Sequence, residues 1–189
     1  MLVNLRGPSG AGKSFIGHKL LDTYPHEEIW VDGWNKTKPK LVAYELPGGL
    51  FVLGRYTAKG GGLDGFLTKR TRERFYDLIR SYAFNKPFVF AEALILSSSK
   101  GAWKGLASEM APDPLVFAFM DTPFDLCVKQ VYLRNGGRPI REDQVKAHHA
   151  YLQRLSHRLK EEGENVVTID HTCGFDQVVQ LFKDGGWSG

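Results

Sequence analysis

The chain has 189 residues, 42% apolar and 24% charged, the make-up of a folded globular domain rather than a disordered or fibrous chain. No apolar run approaches the ~18 residues that cross a bilayer, and two cysteines, Cys127 and Cys173, are too few for a disulfide framework or a four-cysteine zinc site. The net charge is +4, with the basic excess in the first half, where residues 1–95 carry 14 Lys/Arg against 9 Asp/Glu. Such an excess attracts phosphates, whether of nucleotides or of nucleic acid. The length fits one domain over residues 1–189. With no apolar leader and few cysteines, a cytoplasmic location is expected.

In chain order, Met1–Arg6 is a strand followed by a glycine-rich turn and a helix to about Thr23. Glu28–Asp32 reads as a short second strand, and Leu41–Leu46 and Leu50–Gly54 flank Pro47-Gly48-Gly49 as a β-hairpin. Lys59–Gly65 holds four glycines and must be a loop. Leu67, Thr71, Phe75, Leu78, Ile79 and Tyr82 recur at helical spacing. Pro87–Ala91 and Leu115–Met120 are apolar strands, with helices expected over Trp103–Met110 and Pro123–Arg134. Val145, His148, Leu152, Leu155 and Leu159 mark a long amphipathic helix, Val166–Ile169 a last strand and Phe175–Phe182 a closing helix. This alternation predicts an α/β fold: a three-layer sandwich around a mostly parallel sheet with an inserted hairpin.

Gly7-Pro8-Ser9-Gly10-Ala11-Gly12-Lys13-Ser14 matches G-x-x-x-x-G-K-[ST] without a mismatch, between a strand and a helix as the motif requires. Glycines there let successive N–H groups turn onto phosphate oxygens at a helix N-terminus. Gly7, Ser9, Gly10, Ala11, Gly12, Lys13 and Ser14 are therefore the expected nucleotide-binding set, with Lys13 reaching the β- and γ-phosphates of ATP and Ser14 joining a Mg²⁺ shell. No Asn-Lys-x-Asp stands on a late strand, so a GTPase is not indicated, and the short chain resembles the small-kinase branch.

A kinase acting on an alcohol gains from a carboxylate that accepts the hydroxyl proton. Asp32, after the second strand, is the first candidate, by analogy with small kinases whose second strand ends in an acid. Asp64 in the glycine loop competes for that role, and Glu92 suits Mg²⁺ or acceptor positioning. Trp34 or Tyr56 could stack on a base. Asp121-Thr122-Pro123 opens a helix ending near Arg134-Asn135-Gly136-Gly137-Arg138, an arginine-bearing lid in which Arg134, Arg138 or Arg141 would neutralise charge during transfer. Lys36, Lys38 and Lys40, with Lys69, Arg70, Arg72 and Arg74, form the basic surplus.

Several stretches together resemble a family of small phage-encoded P-loop kinases. They are Asn4-Leu5-Arg6-Gly7, Leu53-Gly54-Arg55-Tyr56, Gly61-Gly62-Leu63-Asp64, Glu92 to Ser98, Asp121-Thr122-Pro123 and the arginine lid. Some members resemble 5-hydroxymethyluracil DNA kinases, which phosphorylate the hydroxymethyl group of the modified base. The sequence departs from that family in its glycine loop, where Lys59 and Leu63 stand in place of cysteines. The resemblance implies an ATP- and Mg²⁺-dependent kinase acting on a modified pyrimidine in DNA, in the host cytoplasm, with the basic surplus holding the DNA backbone. Two other readings compete: a kinase of a free nucleoside, nucleotide or other small alcohol, and a non-catalytic ATP-switching nucleic-acid-binding module.

Overall fold

The computed structural model describes residues 1–35, 38–57, 61–63, 85–93 and 115–189, together with residues 76, 77, 80, 81, 103, 105, 108 and 109. Of residues 32–35 and 38 it describes the backbone alone. Seven strands join one sheet. They are β1 (Leu2–Arg6), β2 (Glu27–Asn35), β3 (Lys38–Leu46), β4 (Leu50–Leu53), β5 (Phe88–Glu92), β6 (Leu115–Asp121) and β7 (Val166–Asp170). Their order is β2-β3-β4-β5-β1-β6-β7.

The strands that read as unbroken apolar runs are the ones buried on both faces. β1 lies between β5 and β6, parallel to each, with Leu5 level with Glu92 on one side and Arg6 level with Phe119 on the other. Side chains alternate across the pleat. Val3 and Leu5 meet helices α1 (Lys13–Thr23) and α4 (Gly174–Asp184) through Ile16, Leu20, Val178 and Phe182. Leu2 and its neighbour Phe117 meet α3 (Glu142–Glu161) through Leu152, Leu155 and Leu159. Helix α2 (Phe124–Arg134) completes the set that follows β6. The result is the expected three-layer α/β sandwich with a mostly parallel sheet.

The expected hairpin is β3–β4, closed by a 3₁₀ turn at Pro47–Gly49. The second strand differs from expectation. β2 is not a short strand ending at Asp32 beside the P-loop strand; it runs on to Asn35 and pairs antiparallel with a β3 that begins at Lys38. The parallel strand that follows α1 in the sheet is β4, paired with β5. The last register pair of β3 with β4 is Ala43 with Leu53, so the β2–β3 ribbon overhangs the carboxyl edge of the sheet. At that end Pro39 is exposed and Lys40 half-buried, and the sequence there has no apolar run to mark a strand. Of the helices expected over Leu67–Tyr82 and Trp103–Met110, residues 76, 77, 80, 81, 103, 105, 108 and 109 are described and are helical. Among the described residues no helix is long and apolar enough to cross a membrane.

Candidate active site

The phosphate loop lies between β1 and α1. Gly10 and Gly12 take positive φ angles of 81° and 92°, a region that favours glycine, and Gly12 is the residue from which α1 starts. A Cβ on Gly10 would stand 2.2 Å from the Cys127 carbonyl oxygen, so the loop is pressed onto the first turn of α2. The Thr122 hydroxyl donates to the Ala11 carbonyl at 3.0 Å and braces it from the end of β6. Lys13 is buried, its ammonium donating to the carbonyls of Gly7 and Pro8 at 2.8 and 3.0 Å. Its charge thus sits within the loop it serves. The same burial pushes the Cys127 thiol up from its ordinary range, partly offset by the nearby Lys13 charge.

Ser14, one residue into α1, donates to Glu92 Oε1 at 2.9 Å. Glu92 closes β5 and is 1% exposed. Above it lies the glycine loop: a Cβ on Gly62, where φ is +79°, would fall 2.1 Å from Glu92 Oε1. Gly54 and Gly62 touch backbone to backbone, and the Arg55 amide donates to the Gly62 carbonyl at 3.1 Å. Glycine is required at both positions because the Gly62 backbone covers the carboxylate and Gly54 packs directly against Gly62, each at positive φ. The donor set of one hydroxyl and one carboxylate suits Mg²⁺, which prefers hard oxygens and completes its shell with water and substrate phosphates. Among the described residues no group of three or more His, Cys, Asp or Glu could hold a metal by itself.

The other expected acids are not brought to this point by the described residues. The backbone of Asp32 lies within β2, at the far edge of the sheet from β1, with β3, β4 and β5 between them. At ~4.8 Å per strand that is about 19 Å. The strand-end argument for Asp32 is therefore corrected: the strand next in the parallel order, β4, ends in Leu53-Gly54-Arg55 without an acid. Asp64 lies outside the described residues, as do Lys36, Lys69, Arg70, Arg72 and Arg74. Lys38 is placed by its backbone alone, on the overhanging ribbon. Lys40, on β3, is held below the usual ammonium range by partial burial and then by the Arg55 charge, so two cations face each other beside the ribbon. Trp30 on β2 is 55% exposed, while the side chain of Trp34 is not described. Tyr56 is not free to stack on a base. It is buried against Gly17, His18 and Tyr44, and its amide donates to the Tyr44 hydroxyl at 3.2 Å.

The segment expected to be a lid joins α2 to α3 through residues 135–141 and turns on Gly136 and Gly137, both left-handed. Arg134 and Arg138 are exposed, and Arg141 pairs with Asp143 at 3.0 Å. Between lid and loop lies a cleft of about 500 Å³ bordered by Ser9, Val131, Asn135, Arg141, Gln144 and His148. On the other side of α1 a small hollow of about 70 Å³ is lined by Gly12, Phe15, Lys19, Thr172, Cys173 and Phe175. Asp170 Oδ1 shapes its rim by accepting from the Thr172 amide and hydroxyl at 2.8 and 2.7 Å, which lowers the Asp170 pKa. Phe15, 64% exposed, offers a ring face beside the first turn of α1.

One charged residue escapes sequence reasoning. Arg6, the last residue of β1, is 0% exposed although a strand-end arginine reads as a surface group. Its guanidinium lies over the rings of Phe117 and Phe119, 4.6 and 5.6 Å from their centres. Its Nε donates to Asn4 Oδ1. Desolvation lowers its pKa to about 9, leaving it charged at neutral pH. The only signal in the sequence is its position on the alternating face of Leu2 and Asn4, in a strand with buried neighbours on both sides.

A family model described as 5-hmdU DNA kinase matches residues 2–170. A 5-hmdU DNA kinase of Pseudomonas phage M6 is 31% identical over 189 residues, covering 97% of this chain and 98% of the relative. One of Pseudomonas phage PaMx11 is 27% identical over 191 residues, covering 96% and 97%. Among solved structures, a gluconokinase from Sinorhizobium meliloti 1021 aligns with a TM-score of 0.49 at 14% identity, over 97% of this chain and 96% of that one. With a phosphate cradle at the head of α1 and matches along nearly its whole length, the chain belongs to the 5-hmdU DNA kinase family, phosphotransferases that draw on a nucleotide phosphate donor.

Proposed function

We propose that the protein transfers the γ-phosphate of ATP to the 5-hydroxymethyl group of 5-hydroxymethyluracil within DNA. The observation that carries the chemistry is the Ser14–Glu92 contact beside the phosphate loop, and family membership supports the acceptor. ATP phosphates lie against Gly7, Ser9, Gly10, Ala11 and Gly12, with Lys13 leaving its own loop carbonyls for the β- and γ-oxygens. Ser14 and Glu92 would hold Mg²⁺, which would supply positive charge to offset that of the triphosphate.

In the transfer, the hydroxymethyl oxygen bonds to the γ-phosphorus as the bond from that phosphorus to the β–γ bridging oxygen breaks, and the hydroxyl proton passes to a carboxylate. Asp64 stands two residues beyond Gly62, a chain reach of about 7 Å, and Gly62 covers Glu92. That reach favours Asp64 over Asp32 as the base. Arg134 and Arg138 close with the lid onto the transferring phosphoryl group. Lys38 and Lys40 on the ribbon, with Lys36, Lys69, Arg70, Arg72 and Arg74, hold the DNA backbone, and the modified base leaves its stack to reach the site.

The test is incubation with γ-labelled ATP and DNA containing either hydroxymethyluracil or thymine, followed by digestion to nucleosides and mass spectrometry. Label on the hydroxymethyl oxygen of the modified base alone is expected. Label on free nucleosides in preference to DNA would favour a small-molecule kinase, and no label anywhere would end the kinase reading. Lys13→Ala, which keeps the rest of the loop, should abolish transfer and spare DNA binding.

A further inference from the structure

We propose that Arg6 is a further phosphate-binding residue, its guanidinium fork meeting a phosphate group that enters the cleft between the P-loop and α3. The proposal rests on the kinase reading above and adds a residue to it. Arg6 is fully buried, and among the described residues neither Nη1 nor Nη2 has a hydrogen-bond partner. Asn4 takes only Nε, which leaves the end of the fork free, the edge that pairs with two oxygens of one phosphate. Burial acts most strongly on its charge, followed by the hydroxyls of Tyr151 and Tyr76, and among the described residues no carboxylate joins them.

A buried cation with orphaned donors destabilises the fold unless something compensates. Stacking on Phe117 and Phe119 satisfies the faces of the guanidinium and none of its N–H groups. An aliphatic residue would fill this apolar face with no such penalty. A residue whose charge serves packing badly, one position ahead of a phosphate cradle, is placed for a ligand.

The cleft it would serve is near. A space of about 370 Å³ is lined by Gly7, Pro8, Phe119, Leu152, Gln153 and Lys160, among others. Phe119 is thus shared: one side carries Arg6 and the ring also borders the cleft. Arg6 does not itself line this cleft: to meet a phosphate there its side chain would have to swing past Phe119, toward a space that Lys160 and Asp121 also border. The phosphate has two sources, the nucleotide or a DNA phosphodiester, and one set of measurements separates them.

The experiment compares wild type, Arg6→Met and Arg6→Lys for melting temperature, for ATP and DNA affinity, and for transfer to hydroxymethyluracil DNA per folded molecule. Arg6→Met, similar in length and uncharged, should melt no lower than wild type and lose about 10- to 100-fold in transfer. Arg6→Lys should fall between the two, having the charge and not the fork. A loss confined to ATP affinity assigns the phosphate to the nucleotide, and one confined to DNA affinity or its KM assigns it to the substrate backbone. Unchanged affinities and transfer in both variants, or a melting temperature lowered in both with transfer per folded molecule intact, would overturn the proposal. If wild type itself transfers nothing to the modified DNA, the kinase reading fails, and Arg6 is then judged by phosphate-ligand affinity alone: loss of ATP or DNA affinity in Arg6→Met upholds it, and unchanged affinity for both overturns it.

Discussion

The Ser14 hydroxyl and the Glu92 carboxylate, 78 residues apart in the chain, meet at 2.9 Å where α1 leaves the phosphate loop and β5 ends. This bond ties the first turn of α1 to the end of β5. Glu92→Gln keeps the shape and removes the charge. Steady-state kinetics should show kcat reduced about 10²- to 10³-fold, the size of losing one well-placed electrostatic group. Nucleotide affinity measured without Mg²⁺ should change little. A variant with kcat within twofold of wild type would remove Glu92 from the site.

Gly62→Ala probes the roof over that carboxylate. The added Cβ would fall 2.1 Å from Glu92 Oε1, at a backbone angle that strains any L side chain. The loop or Glu92 must shift, so activity should fall along with stability, by about 1–3 kcal/mol for the strain. Gly136→Ala is the control, since its Cβ would meet nothing within 4 Å although its φ is also positive. It should share the backbone strain and leave Glu92 in place.

The two cysteines should report on nucleotide binding. Cys127 is buried with its thiol pKa raised, so less of it is thiolate at a given pH and it should alkylate slowly in the native protein. Cys173 is partly exposed and borders the hollow beside Phe15. Peptide mapping after iodoacetamide treatment should find Cys173 modified first, and ATP should slow that reaction without changing Cys127. Equal protection of both would instead indicate a general tightening of the fold.

Trp187 fastens the far end of the molecule. Its indole N–H donates to the Pro47 carbonyl at 2.7 Å, and its ring packs against Phe182 and Tyr24, so the β3–β4 turn is clasped by the last residues of the chain. Trp187→Ala should cost about 3–5 kcal/mol in denaturant unfolding, as loss of a buried indole does. Because the clasp is remote from the phosphate loop, transfer per folded molecule should be unchanged.

Much of this arrangement is legible in the amino-acid order. Gly7–Ser14 announces itself because phosphate binding demands a particular backbone. The strands β1, β5 and β6 show as apolar runs because both their faces are covered. The β2–β3 ribbon is harder to read. Its far end, past Val31 and before Leu41, carries no apolar run, so Lys38 and Lys40 give no strand pattern, and Asp32 looks like the end of a strand that in fact continues. Arg6 and Trp187 are hidden for a related reason. Burial of a lone arginine, or of a tryptophan in a glycine-rich tail, is decided by distant residues such as Phe117 and Pro47, which local pattern does not register. Tyr56 errs the other way: an aromatic beside a glycine loop suggests a stacking platform, and its ring is enclosed by Gly17 and Tyr44.

The overhanging ribbon has a consequence for substrate length. From Val42, whose carbonyl accepts the last bond from beyond β4, to Lys38 is four residues, about 13 Å of strand. Along a duplex rising 3.4 Å per base pair, that is a span of about four pairs. With the ribbon's lysines on the backbone, as proposed, the protein gauges DNA on one side of the reacting base. A hydroxymethylated base set at the very end of an oligonucleotide would leave the gauge empty, and its reaction should lose salt sensitivity before it loses chemistry.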